Sequence, residues 1–260
     1  MYKEFETRTS YKYLKEVIGN LKEPICMLGG WAVFFHVNKN FQEAQGRPYI
    51  GSRDIDLGFH IKESSSDDEL KDSALNQTIN RLKEKLGFRP LSFRLFKEIH
   101  TETEEEIKKG ESIPAHFIFP MYIDLIVDHI PDNFNRIFGF NPIDEPLLKP
   151  VFENSSHTKI KEFNRNLLLP TPELLLAMKI GSLPDRDKEH KKIKDICDIF
   201  ALLWYSSIKP AEIKEKLNKF VSVDNIKKCL ESINKEDLQK AGLQIGHTAE
   251  EIGRVINTLS

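Results

Sequence analysis

Cysteine is scarce in this chain: Cys26, Cys197 and Cys229 are the only three in 260 residues. They are far apart, odd in number and without CxxC spacing, which argues against a disulfide framework or a zinc site and fits a reducing cytoplasm. Long hydrophobic runs are missing too. No apolar stretch approaches the roughly 18 residues of a membrane span, and the opening MYKEFETRTS is charged from the start, so neither membrane insertion nor secretion is expected. Nor is there an excess of one charge. With 38 Lys and Arg against 40 Asp and Glu, the formal net charge is −2. Nothing therefore pulls the whole chain toward nucleic acid or a membrane surface, and any such partner must be met locally. Internal repeats and low-complexity tracts are absent. What is present is a chain 40% hydrophobic and 30% charged, long enough for one large or two ordinary domains with their own cores.

Residues 51–59, GSRDIDLGF, set two carboxylates two positions apart in a β-favouring run. On a strand, positions i and i+2 share a face, so Asp54 and Asp56 project together while Ile55 and Leu57 face the other way. Adjacent like charges need a proton or a cation between them, and at neutral pH a hard divalent ion such as Mg²⁺ is the economical answer. The same triplet on a solvent-facing edge strand would carry no function, and the triplet alone does not decide between the two. Upstream, ICML at 25–28 reads as a short buried strand. It runs into Gly29 and Gly30 and then the apolar helix WAVFFHV, an order that lets backbone approach a ligand and offers helix-terminal N–H groups to phosphate. A tight turn with no ligand is the plainer alternative. Downstream, AHFIFPMYIDLIVDHI at 115–130 alternates Ile123, Leu125 and Val127 against Tyr122, Asp124, Ile126 and Asp128. An acid within so apolar a strand is costly without a counter-charge, which makes Asp124 a candidate third carboxylate and Asp128 its substitute or a turn cap.

The remaining pattern is coarser. Thr9 or Ser10 can cap a first helix carrying Leu14, Val17, Ile18 and Leu21. Residues 38–50 lose periodicity and read as a loop, the polar turn at 64–68 starts a helix stopped by Gly87, and FRPLSFRLFKEIH is strand-like. The acidic run at 101–112 is a solvated hairpin or loop. After residue 168 the composition turns helical: Thr171-Pro172-Glu173 is a helix start with a capping hydroxyl, Lys179 lies late in that helix, and the next carries an apolar stripe of Ile193, Ile196, Cys197, Phe200, Leu203 and Trp204. Asp195 and Asp198 lie beside that stripe. Lys188, Lys191, Lys192 and Lys194 form either a local basic patch or a solvated helix face. Pro210, Ser222 and the Thr248–Glu251 pair begin further helices.

Gly29-Gly30, SRDIDL at 52–57 and the isolated acid in YIDLI together resemble the nucleotidyltransferase superfamily, whose fold is like the palm of DNA polymerase β. The wide interval to Asp54 and the segment AMKIGSLPDRDKEHKKIKDICDI are similar to the AbiEii toxin branch. The resemblance implies an α+β fold: a palm with a mixed sheet and flanking helices over residues 1–168, then a mostly helical domain over 169–260 that closes the nucleotide cleft. It implies two Mg²⁺ ions held by Asp54, Asp56 and Asp124. A nucleoside triphosphate would be met by Gly29, Gly30, Ser52 and Lys179, with Arg186, Lys194, Asp195 and Asp198 completing the site. Catalysis would fall to Asp54, Asp56, Asp124 and Lys179, and Arg53, pointing away, would be structural. The implied reaction passes a nucleoside monophosphate to a hydroxyl on tRNA or a protein, in a cytoplasmic toxin with a cognate antitoxin. Two other readings stay open, an aminoglycoside-type small-molecule nucleotidyltransferase and an inactive nucleotide-binding or antitoxin-type protein.

Overall fold

The computed structural model describes residues 2–108 and 110–260. They form two compact units, one of Lys3–Gly29 and Gly51–Pro170, the other of Gly30–Ile50 and Thr171–Ser260 together with Tyr2. The chain is α+β, as expected, with one mixed sheet, flanking helices and a helical C-terminal part. No helix among the described residues is long and apolar enough to cross a membrane.

The first unit holds the sheet. Its strands are β1 (Ile25–Met27), β2 (Ile55–Phe59), β3 (Arg89–Leu91), β4 (Arg94–His100), β5 (Ile118–Val127), β6 (Ile143–Asp144), β7 (His157–Glu162) and β8 (Arg165–Pro170). The order is β3-β4-β5-β2-β1-β8-β7, with β6 beside β5. The neighbours β2 and β5 run parallel, as do β1 and β8, while β1 and β2 are antiparallel. Burial follows the pleat: in β4, Leu95, Lys97 and Ile99 are buried and alternate with half-buried Arg94, Phe96, Glu98 and His100. Opposite them in β5, Phe119, Met121, Ile123, Leu125 and Val127 continue the buried face. The hairpin between β7 and β8 turns on Phe163 and Asn164, both at positive φ, the two-residue geometry whose twist matches the strands.

Helix α1 (Glu4–Asn20) starts earlier than Thr9 or Ser10, which are interior and buried. Glu6 reaches back to the Lys3 N–H instead, at 3.0 Å. Helix α2 (Gly29–Gln45) begins on the diglycine itself, where the helix was expected only after it, and continues through residues expected to be loop. The predicted helix after residue 64 divides into α3 (Asp67–Lys71) and α4 (Ala74–Glu84), because Ser73 caps afresh by accepting the Asn76 N–H. Short helices α5 (Phe134–Phe138) and α6 (Lys149–Glu153) occupy the connector before β7. FRPLSFRLFKEIH forms two strands, β3 and β4, which turn at Ser92. Within the acidic run, Glu106 bridges Ile99; Lys109 lies outside the described residues.

The second unit is helical: α2 from Gly30 onward, α7 (Pro172–Ser182), α8 (Glu189–Tyr205), α9 (Pro210–Leu217), α10 (Val223–Glu231), α11 (Lys235–Ile245) and α12 (Ala249–Ile256). Thr171 precedes α7 but makes no capping hydrogen bond, so Pro172 at the first turn supplies the start. The Thr248–Glu251 capping box forms as expected. In α8 the apolar stripe is buried except for Trp204, which is 54% exposed. Phe41 packs edge-on against Tyr49 and Tyr205, with ring centroids 5.1 and 5.0 Å away.

Candidate functional site

In the sheet unit, β1 ends at Met27 and the Leu28 N–H donates to the Asp56 carbonyl at 3.0 Å, which brings Gly29 against β2. Gly29 has φ +59°, and a Cβ built there would lie 1.8 Å from Asp56 Oδ2. Glycine is required twice over, by the left-handed backbone and by the carboxylate that fills the place of a side chain. Asp56 and Asp124 are register partners on the parallel strands β2 and β5 and so stand on the same face of the sheet. Asp54 does not sit on the strand as the i, i+2 reading supposed. It lies in a bend just before β2, half-buried, and Ser52 before it is buried.

Asp124 is buried, and its counter-charge is an arginine. Arg94 is its register partner on the antiparallel strand β4, and Arg94 Nη2 donates to Asp124 Oδ2 at 2.8 Å. The guanidinium is held between the Phe93 and Tyr122 rings, 4.7 and 4.4 Å from their centroids. Sequence reasoning anticipated a cation beside Asp124 but not this one. The signal lay in the alternation Arg94-Leu95-Phe96, readable only with the β4–β5 register. Asp128 ties the end of β5 to the segment leaving β2: it accepts the Ile61 N–H at 2.8 Å and pairs with His60, and among the described residues no capping bond to a turn before Pro131 accompanies these. Arg53 lies over the Phe119 ring, with its guanidinium 5.4 Å from the centroid, and 3.4 Å from Glu6.

The donor set fits magnesium in kind, since paired aspartates on one sheet face are the hard oxygen ligands it takes. Among the described residues, however, no group of three or more His, Cys, Asp or Glu side chains is gathered to hold a metal, and Arg94 already engages Asp124.

In the helical unit, Lys179 of α7, Arg186 and the α8 residues Lys194, Asp195 and Asp198 come together in one buried cluster. Lys179 bonds to Asp195 and lies 2.8 Å from Asp198 Oδ2. Arg186 Nε donates to Asp195 Oδ2 at 2.6 Å, and Lys194 pairs with Asp198. The Tyr49 hydroxyl, which sequence reasoning missed, donates to Asp198 Oδ1 at 2.8 Å. Burial alone would lower the Lys179 pKa, but Asp195 and Asp198 outweigh it and hold the ammonium above its ordinary value. Burial alone would raise Asp198; Lys179 and Lys194 outweigh it and hold the carboxyl below the ordinary range. For Tyr49, burial and the Asp198 charge act together and push the phenol well up. Of the α8 lysines read as either a basic patch or a solvated face, Lys194 is buried in this cluster and Lys192 donates to Asp237 at 2.7 Å.

No protein-family model matches this chain, and no curated protein matches it. Among solved structures, it is similar to an antigenic nucleotidyltransferase-like protein from Paracoccidioides brasiliensis, at 16% identity and a TM-score of 0.36, over 88% of this chain and 93% of that one. A likeness of that size carries no argument about function. What the chain's own geometry defines is an α+β protein with a mixed sheet, two aspartates in register beside a close-packed glycine, and a helical unit that holds a largely buried charge cluster.

Proposed function

We propose that this protein is a Mg²⁺-dependent nucleotidyltransferase in which a hydroxyl acceptor bonds to the α-phosphorus of a nucleoside triphosphate, the α–β phosphoanhydride bond breaks and pyrophosphate leaves. The observation that carries the reading is the register of Asp56 with Asp124 on adjacent parallel strands, with Asp56 packed against Gly29. Asp54, Asp56 and Asp124 are the residues that would hold the metal, whose contribution when bound is to neutralise phosphate charge and acidify the attacking hydroxyl. Asp124 receives the acceptor's proton, directly or through a water. Gly29, Gly30 and Ser52 offer backbone N–H and hydroxyl donors to the triphosphate. The resemblance assigns Lys179 and Arg186 to the triphosphate's charge; within their own unit both cations are set by Asp195 and Asp198, with Lys194 completing that frame. In this reading Arg94 holds Asp124 in place and yields to the incoming cation.

The finer assignment is an AbiEii-type toxin of a toxin–antitoxin pair, acting on tRNA or protein; it rests on the resemblance of Gly29-Gly30, the Asp54–Asp56 pair and the Lys179-to-Asp198 segment. Incubation with each α-³²P-labelled nucleoside triphosphate, Mg²⁺ and tRNA, protein extract or an aminoglycoside tests reaction and acceptor together. Label on tRNA or protein supports the reading, and label on the aminoglycoside alone would favour a small-molecule enzyme. Nucleotide binding without label on anything, unchanged in Asp56→Asn, would point to an inactive binding protein.

A further inference from the structure

Two arginines lie on the sheet face that carries Asp56 and Asp124, and they differ in what answers their charge. Arg89 lies over the Phe96 ring, 4.5 Å from its centroid, and pairs with Glu98, an acid with no part in the proposed site. Arg94 lies between the Phe93 and Tyr122 rings, and the acid it pairs with is Asp124, a proposed metal ligand. The rings grip the guanidinium by its two faces and leave its edge, which carries the donors, for hydrogen bonding. Arg94 therefore keeps its place when Asp124 takes another partner. Its side chain is 17% exposed against 6% for Asp124, so the pair meets solvent on the arginine's side.

A cation that engages Asp124 would leave this guanidinium largely buried, without its acid and beside a like charge, which is costly unless an anion arrives with the cation. The planar fork of arginine matches a phosphate better than any other common anion except a carboxylate. In the proposed reaction Asp124 receives the acceptor's proton, so the phosphate met on its side is the α-phosphate under attack. We infer that Arg94 is a substrate-binding residue of this reaction: its edge passes from Asp124 to a non-bridging oxygen of the α-phosphate when the triphosphate binds. There it donates hydrogen bonds, keeps its protons and steadies the charge that gathers on that oxygen as the hydroxyl adds. The inference rests on the nucleotidyltransferase reading and gives Arg94 a second task in it.

The test sets metal binding against triphosphate binding in the full chain, with no acceptor present. Mn²⁺ affinity is read from the free-ion EPR signal, and ATP, GTP, CTP and UTP analogues with a methylene between the α and β phosphorus are titrated calorimetrically with Mg²⁺. Arg94→Gln should bind Mn²⁺ at least as tightly as wild type and the best analogue about 10- to 100-fold more weakly. Arg94→Lys, which keeps the charge and loses the fork, should fall between, and Arg89→Gln should match wild type in both. Sulfur in one of the two non-bridging α positions of the corresponding triphosphate should weaken binding to wild type, and that penalty should vanish in Arg94→Gln. All variants are checked for folding by melting. Analogue affinity unchanged in Arg94→Gln, Mn²⁺ and analogue lost together, or a sulfur penalty that persists would overturn the inference and leave the reading standing. A wild type that binds neither Mn²⁺ nor analogue would overturn both.

Discussion

The two units solve the problem of placing charge inside a protein in opposite ways. In the helical unit, Asp195 and Asp198 are enclosed by Lys179, Arg186, Lys194 and the Tyr49 hydroxyl, and each acid has more than one partner. In the sheet unit, Asp124 pairs with Arg94, whose guanidinium lies between two aromatic rings, and Asp56 lies against Gly29. The first arrangement is held by several partners at once, and removing Asp198 would leave the buried Lys194 ammonium without its acid. The second can exchange one cation for another.

That contrast is broken most directly at Asp198. Asp198→Asn removes the charge that Lys179 and Lys194 share, and it should cost about 3–5 kcal/mol in urea unfolding. A loss under 1 kcal/mol would mean the cluster is not a framework. Its pH dependence has a definite sign. Because Asp198 titrates below its ordinary value, its contribution is present above about pH 4 and lost as the pH falls through the depressed value. Lys179 titrates above its ordinary value, so its contribution is in place below about pH 10.5 and lost only as the pH rises beyond the raised one. Melting of wild type should therefore be flat across neutral pH and fall on the acid side, and Asp198→Asn should flatten part of that fall.

Gly29→Ala sharpens the comparison from the sheet side. A Cβ at φ +59° and 1.8 Å from Asp56 Oδ2 forces the carboxylate away. The expected cost is up to about 3 kcal/mol, with label transfer lost beyond what the stability change explains. Arg94→Gln should cost about 2 kcal/mol, less than at Asp198, since Arg94 keeps 17% of its side-chain exposure. It should also tighten Mg²⁺ binding, because the competing cation is gone; weaker binding would make Arg94 a support for the site and not its rival. Thr248→Ala, far from either cluster in sequence, removes one helix cap and should lower stability by about 1 kcal/mol with no effect on metal or nucleotide.

Much of the arrangement was legible because it obeyed local rules. Asp124 stood out as an acid in an apolar strand, the diglycine stood at a strand-to-helix turn, and the capping residues of α10 and α12 announced themselves. What escaped reading depended on partners distant in sequence. The pairing of Arg94 with Asp124 needs the β4–β5 register, and Tyr49 reaches Asp198 across 149 positions. Helix α2 beyond residue 38 buries only Phe41 among largely exposed polar residues, so no periodicity marked it. Thr9 and Ser10 resembled caps because small hydroxyl residues serve equally where helices pack closely, and burial, not composition, told the two apart.

Titration with Mn²⁺, followed by the loss of the free-ion EPR signal, tests the pairing of Asp56 and Asp124 most directly. If the two carboxylates share one cation, Asp56→Asn and Asp124→Asn should each lose about as much affinity as the double variant, with all three melting as folded proteins. Unchanged Mn²⁺ binding in either single variant would contradict a shared site.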